Sequence, residues 1–329
     1  MKAFVLTEPK GCGCLKFVEN RSIPAPAPDE IRVRVRAVGL NPVDYKLASG
    51  WGNPRWTEAP VLGLDVAGIV DETGGKVKDF LKGERVFYHG NLAGINGGFA
   101  EYACTRACSV SRIDDNLSYE VAAAIPCSGF TAYEAVIDKL KLDKGQTILI
   151  QAGAGGVGGY AVQLAKSRGA SVIATCSSRN EEYVRALGAD CIIDYNEADV
   201  GMEVMRITNG RGLDYVVDTI GGETATKSID YLAFGGQIVC IVDLPDFSRL
   251  RFFEKGISIH EVSLGAAHLN GDLKAEVHLA EMGEMYMKYL VNGTIKPPSV
   301  MTVPMEDIPK SLKVLESRHV VGKIVAKIE

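Results

Sequence analysis

Residues 151 to 158 read Gln-Ala-Gly-Ala-Gly-Gly-Val-Gly, and Gly153, Gly155 and Gly158 fill a Gly-x-Gly-x-x-Gly frame. The frame alone is common, and its context gives it weight. The apolar run Thr147-Ile148-Leu149-Ile150 precedes it, and Gly158 to Arg168 follows with apolar residues at helical spacing. A strand, a glycine turn and a helix in that order suit a dinucleotide pyrophosphate. The first glycine makes the tight turn, the second admits close backbone approach, and the third lets the helix pack on the strand. The helix start adds unpaired N–H groups and a positive dipole end. Gly153, Ala154, Gly155, Gly156, Val157 and Gly158 are therefore read as a phosphate-binding turn, set against a glycine turn with no ligand. The end of the next strand selects between cofactors. An NAD site places a carboxylate there, about 20 residues beyond the motif. This chain has Thr175-Cys176-Ser177-Ser178-Arg179 and no acid before Glu181. Ser177, Ser178 and Arg179 suit a ribose 2′-phosphate, which a guanidinium pairs with in a fork. NADP(H) is the expected cofactor; the other reading of Arg179 is a solvated surface arginine.

The elements that must position these residues fall into three stretches. Ile31 to Val38 alternates strictly between apolar and polar residues, the pattern of a half-buried strand, and follows a loop marked by Pro24, Pro26 and Pro28. Leu62–Val70 and Arg85–Tyr88 read as further strands. Near residue 120 the character changes. Helical stretches over 119–125 and 130–140 flank Pro126. Strands over 147–150, 171–175, 191–193, 215–217 and 237–242 then alternate with helices, which means a parallel sheet covered on both faces. Ile257–Val262 offers a sixth strand. After residue 265 the alternation stops, a long helix covers 272–291, and 319–325 returns to a strand.

Composition narrows the partners. With 36 basic and 41 acidic residues the formal charge is −5, which gives no electrostatic basis for binding nucleic acid. No window approaches the roughly 18 apolar residues of a membrane span, and the first six residues are too short for a signal-peptide core. A cytoplasmic chain is expected. Its eight cysteines are scattered, and neither Cys12–Cys14 nor Cys104–Cys108 has the spacing and second pair of a zinc site, so free thiols are expected. The five histidines form no close cluster in sequence, although His89 falls near a loop of interest.

Six segments in order carry a resemblance: Asn41-Pro42-Val43-Asp44-Tyr45-Lys46, Gly63-Leu64-Asp65-Val66-Ala67-Gly68, Ser128 to Glu134, Gly153 to Gly158, Ala186 to Asp190, and Gly322-Lys323-Ile324-Val325. Over essentially its whole length the chain resembles the medium-chain dehydrogenase/reductase superfamily, in its zinc-free quinone oxidoreductase (zeta-crystallin-like) branch. The resemblance implies an α/β protein in which a doubly wound Rossmann domain (121–265) is inserted into a GroES-like β-rich catalytic domain (1–120, returning at 266–329). It implies a homodimer, with Ile257–Val262 pairing across a two-fold axis.

The resemblance also assigns roles. Zinc-dependent relatives carry a cysteine where this chain has Asn41 and a histidine where it has Leu64; only Cys127 matches a ligand position, and one ligand in three cannot hold a catalytic zinc. No metal is expected, and Cys127 is read as a packing residue. Without a Lewis acid the implied activity is hydride transfer from NADPH to an electron-poor acceptor, a quinone or α,β-unsaturated carbonyl. The matching positions offer Asn41 as an amide donor to the developing oxyanion and Tyr45 as a phenol donor or proton source, or as a packing aromatic; Asp44 orients its neighbours. Thr131 matches a position near the nicotinamide and Tyr195 one beside the adenosine phosphate. Thr219, Gly221 and Val242 follow strands whose ends face a cofactor, and Lys323 either reaches the cofactor or is a surface lysine. An enoyl-thioester reductase and a non-catalytic NADPH-binding crystallin-type protein are the competing readings.

Overall fold

The computed structural model describes residues 1–52, 56, 58–251 and 253–329. It divides into two compact units, one of Met1–Phe130, Leu264–Asn292 and Pro297–Glu329, the other of Thr131–Ser263 and Gly293–Lys296.

The first unit is built on strand Glu30–Leu40, whose alternating half buries Ile31, Val33 and Val35. Asp65–Thr73 and Tyr102–Arg106 pair with it antiparallel, and Arg85–His89 and Val110–Arg112 extend the sheet beyond Asp65–Thr73. On the other side the late strand Lys323–Lys327 pairs antiparallel with Glu30–Leu40 and parallel with Val300–Pro304. Residues far apart in sequence thus complete one sheet, as the split-domain reading requires.

The first unit runs to Phe130, ten residues past the change in composition near 120. Packing explains the difference. Pro126–Phe130 forms a π-helical turn, and the Phe130 ring lies 6.3 Å from Phe87 and 6.2 Å from Tyr286, both in this unit. Tyr286 sits on the helix Leu273–Val291 and donates to the Gly129 carbonyl at 2.7 Å. Helix and sheet approach closely because residue 283 is glycine; a Cβ there would stand 2.0 Å from Ser111 Oγ.

The second unit carries a six-stranded parallel sheet in the order Cys191–Asp194, Ser171–Cys176, Thr147–Ile150, Leu213–Asp218, Leu232–Cys240, Ser258–Glu261. Ile148, Leu149, Ile150, Ile173 and Val216 are fully buried, the burial expected of strands covered on both faces. Each such side chain contributes about 1.5–3 kcal/mol. Strand order reverses between Thr147–Ile150 and Leu213–Asp218, the switch point where open α/β sheets bind ligands. Cys191–Asp194 and Ser258–Glu261 are the sheet's two edge strands. Among the described residues no helix is long and apolar enough to cross a membrane.

Candidate functional site

At the switch point of the second unit the turn after Ile150 is held from both sides. Gly153 N–H donates to the Thr175 carbonyl at 2.9 Å, Ala152 N–H to Thr175 Oγ1 at 3.1 Å, and the Thr219 hydroxyl to the Gln151 carbonyl at 3.0 Å. The left-handed residue of the turn is Ala152 (φ 50°), not the first glycine. Gly153 instead lies against Ala174 and Val184, where a Cβ would come within 3.1 Å of each. Gly158 is demanded by the turn itself, since a Cβ there would stand 2.2 Å from the Ala152 carbonyl oxygen. Gly155 differs: its only near contact would be that same oxygen at 3.4 Å, and its φ of −78° suits any residue. It precedes the helix Gly156–Ser167, whose N-terminus no side chain caps. The fold leaves space at Gly155 and free N–H groups beside it, the arrangement a phosphate occupies.

An expected result follows. In Gly155→Ala, unfolding free energy should stay within about 0.5 kcal/mol of the parent, while NADPH affinity falls roughly tenfold or more, about 1.4 kcal/mol. Calorimetric titration beside chemical denaturation checks it; equal affinity would remove the phosphate from this turn.

Ser177, Ser178 and Arg179 follow the second strand, and Ser178 and Arg179 are exposed. Arg179 makes no hydrogen bond or ion pair among the described residues, in contrast to Arg185, which pairs with Glu181 at 2.8 Å. One acid does come near. Asp194, at the end of the next strand, accepts from Ser178 N–H at 2.5 Å and Asn196 N–H at 2.8 Å, and these bonds hold its carboxyl below the usual carboxylate range. Tyr195 beside it is exposed. Thr131 is buried, Val242 is partly exposed past the fifth strand, and Gly221 takes φ 84° against Asp243. Asp218, fully buried, accepts from Gly221 N–H at 2.8 Å; burial raises its carboxyl to about 6.

In the first unit, sequence-distant residues form a buried polar cluster. Asn41 caps the helix Pro42–Ala48, which carries Tyr45. The Asn41 amide faces inward: its Oδ1 accepts from Lys323 Nζ, and its Nδ2 donates to the Gly39 carbonyl at 3.3 Å. Lys323 is buried rather than on the surface, and its ammonium also meets Asp65 Oδ2 at 3.3 Å. Asp65 Oδ1 accepts from Cys127 N–H at 2.9 Å. Burial pushes the Asp65 carboxyl up, against the pull of Lys323. His89 stands opposite Asp65 in the strand register, and its Nδ1 has no hydrogen-bond partner. Burial, with His268 and Lys323 nearby, lowers it to about 3, so the ring is neutral. Ligand atoms of Asp65, His89 and Cys127 lie within 4.8 Å of one another. Tyr45 is half-buried against the core, and its hydroxyl makes no hydrogen bond among the described residues. A cavity of about 410 Å³ opens within the same unit, lined by Leu47, Trp56, Leu62, Leu64, Tyr88 and Leu92 among others.

Asp44 Oδ2 accepts from Asn41 N–H at 2.8 Å, while Oδ1 is buried without a partner. Burial first, then the charge of Asp65, raises its carboxyl to about 8. An unfolded aspartate ionises near 3.9, so the folded state binds the proton more tightly. Stability from this group is full below pH ~4 and is lost as pH rises towards 8. Asp44→Asn keeps an acceptor for Asn41 without titrating. Its stability relative to the parent should grow from pH 4 to pH 8, by on the order of 3–5 kcal/mol, then level off. Denaturant melts across that range check it; a constant difference would mean Asp44 is ionised.

Sequence reasoning singled out Asn41 and Lys323, read Cys127 as a packing residue, and missed Asp65 and His89 as members of the cluster; Tyr45 makes no hydrogen bond to it. The available signal was an acid, Asp65, inside the otherwise apolar run Leu62–Val70, which requires a buried partner. His89 gave no signal beyond its place near a loop.

Residues 27–115 match the family model described as alcohol dehydrogenase GroES-like domain, and residues 156–281 the one described as zinc-binding dehydrogenase. The chain is 30% identical over 367 aligned residues to NAD(P)H oxidoreductase RTN4IP1, mitochondrial, of Danio rerio, covering 100% of this chain and 91% of that protein. It is 31% identical to trans-enoyl reductase RAP2 of Pyricularia oryzae, covering 96% of each. Among solved structures it superposes on Escherichia coli quinone oxidoreductase complexed with NADPH with a TM-score of 0.88 at 26% identity, over 100% of both chains.

Proposed function

Given that the chain belongs to the medium-chain dehydrogenase/reductase superfamily, in its quinone oxidoreductase branch, we propose that it reduces quinones or α,β-unsaturated carbonyls with NADPH and needs no catalytic metal. It is an oxidoreductase with a nicotinamide cofactor; the acceptor, the preference for NADPH and the residue roles are our reading. One observation carries it. Of the positions at which zinc-dependent relatives hold their metal, Asn41 has its amide oxygen on Lys323 and Leu64 is buried in the core. That set does not fit a zinc ion. A protein without a Lewis acid at the reacting oxygen favours acceptors already electron-poor.

The bound cofactor supplies the hydride. In this reading the turn 153–158 and the helix start behind it hold the pyrophosphate, and Ser177, Ser178 and Arg179 hold the 2′-phosphate. Tyr195, Thr219, Gly221, Val242 and Thr131 border the rest of the cofactor. Tyr45 donates its hydroxyl proton to the acceptor oxygen as charge develops there. Asn41 is a positioning residue: fixed by Lys323 and Gly39, it sets the start of the helix bearing Tyr45. The cavity of the first unit, lined by Leu47, Leu62 and Leu64 on one hand and by Asn91, Asn96 and Arg106 on the other, has room for a small ring acceptor with a polar oxygen.

The test is loss of reduced-nicotinamide absorbance with a quinone and a short enone, run with NADPH, NADH and a chelator. Rapid NADPH use that the chelator does not stop supports the reading. Turnover restricted to enoyl thioesters would favour the reaction for which the Pyricularia relative is named. NADPH binding without turnover of any acceptor would favour a non-catalytic role. Tyr45→Phe is expected to lower kcat roughly 100-fold with the KM for NADPH unchanged. An unchanged kcat would make Tyr45 a packing residue.

A further inference from the structure

We infer that Asp65, His89 and Cys127 form a binding site for one thiophilic divalent transition-metal ion of the zinc class, and that its occupancy lowers reductase turnover. The site lies wholly in the first unit and shares only Cys127 with the position set of the zinc-dependent relatives. Three elements build it. Asp65 and His89 are cross-strand partners on neighbouring antiparallel strands, so their side chains share a face. The π-helical turn Pro126–Phe130 brings Cys127 over that face, where its N–H is bonded to Asp65. A carboxylate oxygen, an imidazole nitrogen and a sulfur thus lie within 4.8 Å of one another.

The buried Nδ1 of His89 meets no hydrogen-bond partner. An orphaned polar atom in a protein interior is costly, and an ion held through that nitrogen would remove the cost. The donor set of one sulfur, one nitrogen and one carboxylate oxygen suits a borderline-soft ion, and leaves a fourth position open. Binding releases the thiol proton of Cys127 to solvent as the sulfur–metal bond forms. The Asp65 carboxylate also holds Lys323, the lysine that fixes Asn41. A dication on that carboxylate competes with the ammonium and loosens the support of the Tyr45 helix.

Only the activity arm rests on the proposed reductase function, and the binding arm needs no turnover. The chelator-treated full chain is titrated with Co²⁺. A thiolate-to-cobalt charge-transfer band that saturates at one ion per chain is expected. Cys127→Ser should abolish the band, and His89→Gln should weaken binding roughly 10–100-fold. Because these variants disturb a packed interior, the parent chain provides a second readout. One equivalent of Zn²⁺ should shield Cys127 from alkylation, as read by peptide mass spectrometry, and slow NADPH oxidation until chelator restores it. A band that survives in Cys127→Ser, or shielding of other cysteines with Cys127 still modified, overturns the site. Metal bound at the site with turnover unchanged overturns the inhibitory role.

Discussion

Arg179→Ala is expected to lower kcat/KM for NADPH about 100-fold and to leave that for NADH within about twofold. The two cofactors differ only in the 2′-phosphate, so a residue that grips it acts on one and not the other. Arg179 is exposed at the end of the second strand and unpaired among the described residues, and its guanidinium gives up no existing bond to take a phosphate. A charge-assisted fork of this kind contributes about 1.5–3 kcal/mol, which is a factor of ten to a hundred or more. The neighbouring acid is engaged elsewhere, because the Asp194 carboxylate already accepts the N–H groups of Ser178 and Asn196. Equal losses with both cofactors would show that Arg179 supports the loop rather than the phosphate, and no loss would return it to solvent.

Lys323→Met is expected to destabilise the protein by about 3–5 kcal/mol. Methionine fills a similar volume, so the loss comes from charge. Asp65 is fully buried, and without the ammonium its carboxylate loses its strongest charge-stabilising neighbour and keeps the Cys127 N–H and the Asn41 side chain. An uncompensated carboxylate in the interior holds a proton instead. The variant is therefore most stable at low pH and loses stability as pH rises past the unfolded value near 3.9. The double variant Lys323→Met/Asp65→Asn removes the orphaned charge and should recover most of the loss. Denaturant unfolding of the two single variants and the double one forms a cycle. Strictly additive losses would mean that the pair contributes nothing as a pair.

Much of the fold was legible because burial writes itself into the sequence. The second unit shows apolar runs such as Ile148 to Ile150 split by helices with apolar stripes, and only a covered parallel sheet satisfies that pattern. Alternation from Ile31 to Ala37 likewise predicts a strand with two unlike faces, whereas Ala37 to Leu40 are all buried. The turn was legible in its frame but not in its detail. The left-handed residue proved to be Ala152, since strand ends at Thr175 and Thr219 fix the chain there whatever the local preference. Least legible was the buried cluster of the first unit. Asn41, Asp65, His89, Cys127 and Lys323 come from distant stretches, and only strand register and a π-helical turn bring them together. Lys323 read as easily as a surface lysine, because one sequence does not say which way a side chain on a short strand faces.

The bond from Lys323 to Asn41 spans 282 positions, and that has a consequence for biosynthesis. A ribosome adds about 5–20 residues each second, so tens of seconds separate the two partners. During that interval Asp65 and Asn41 have left the exit tunnel without the cation that neutralises their surroundings, and the sheet they belong to lacks the strand Lys323–Lys327. Nearly all of the second unit, Thr131 to Ser263, emerges as one uninterrupted stretch in the meantime. The unit synthesised second is thus free to fold first, while the one that begins the chain waits for its last strand, and protection by chaperones matters most for the segment made earliest.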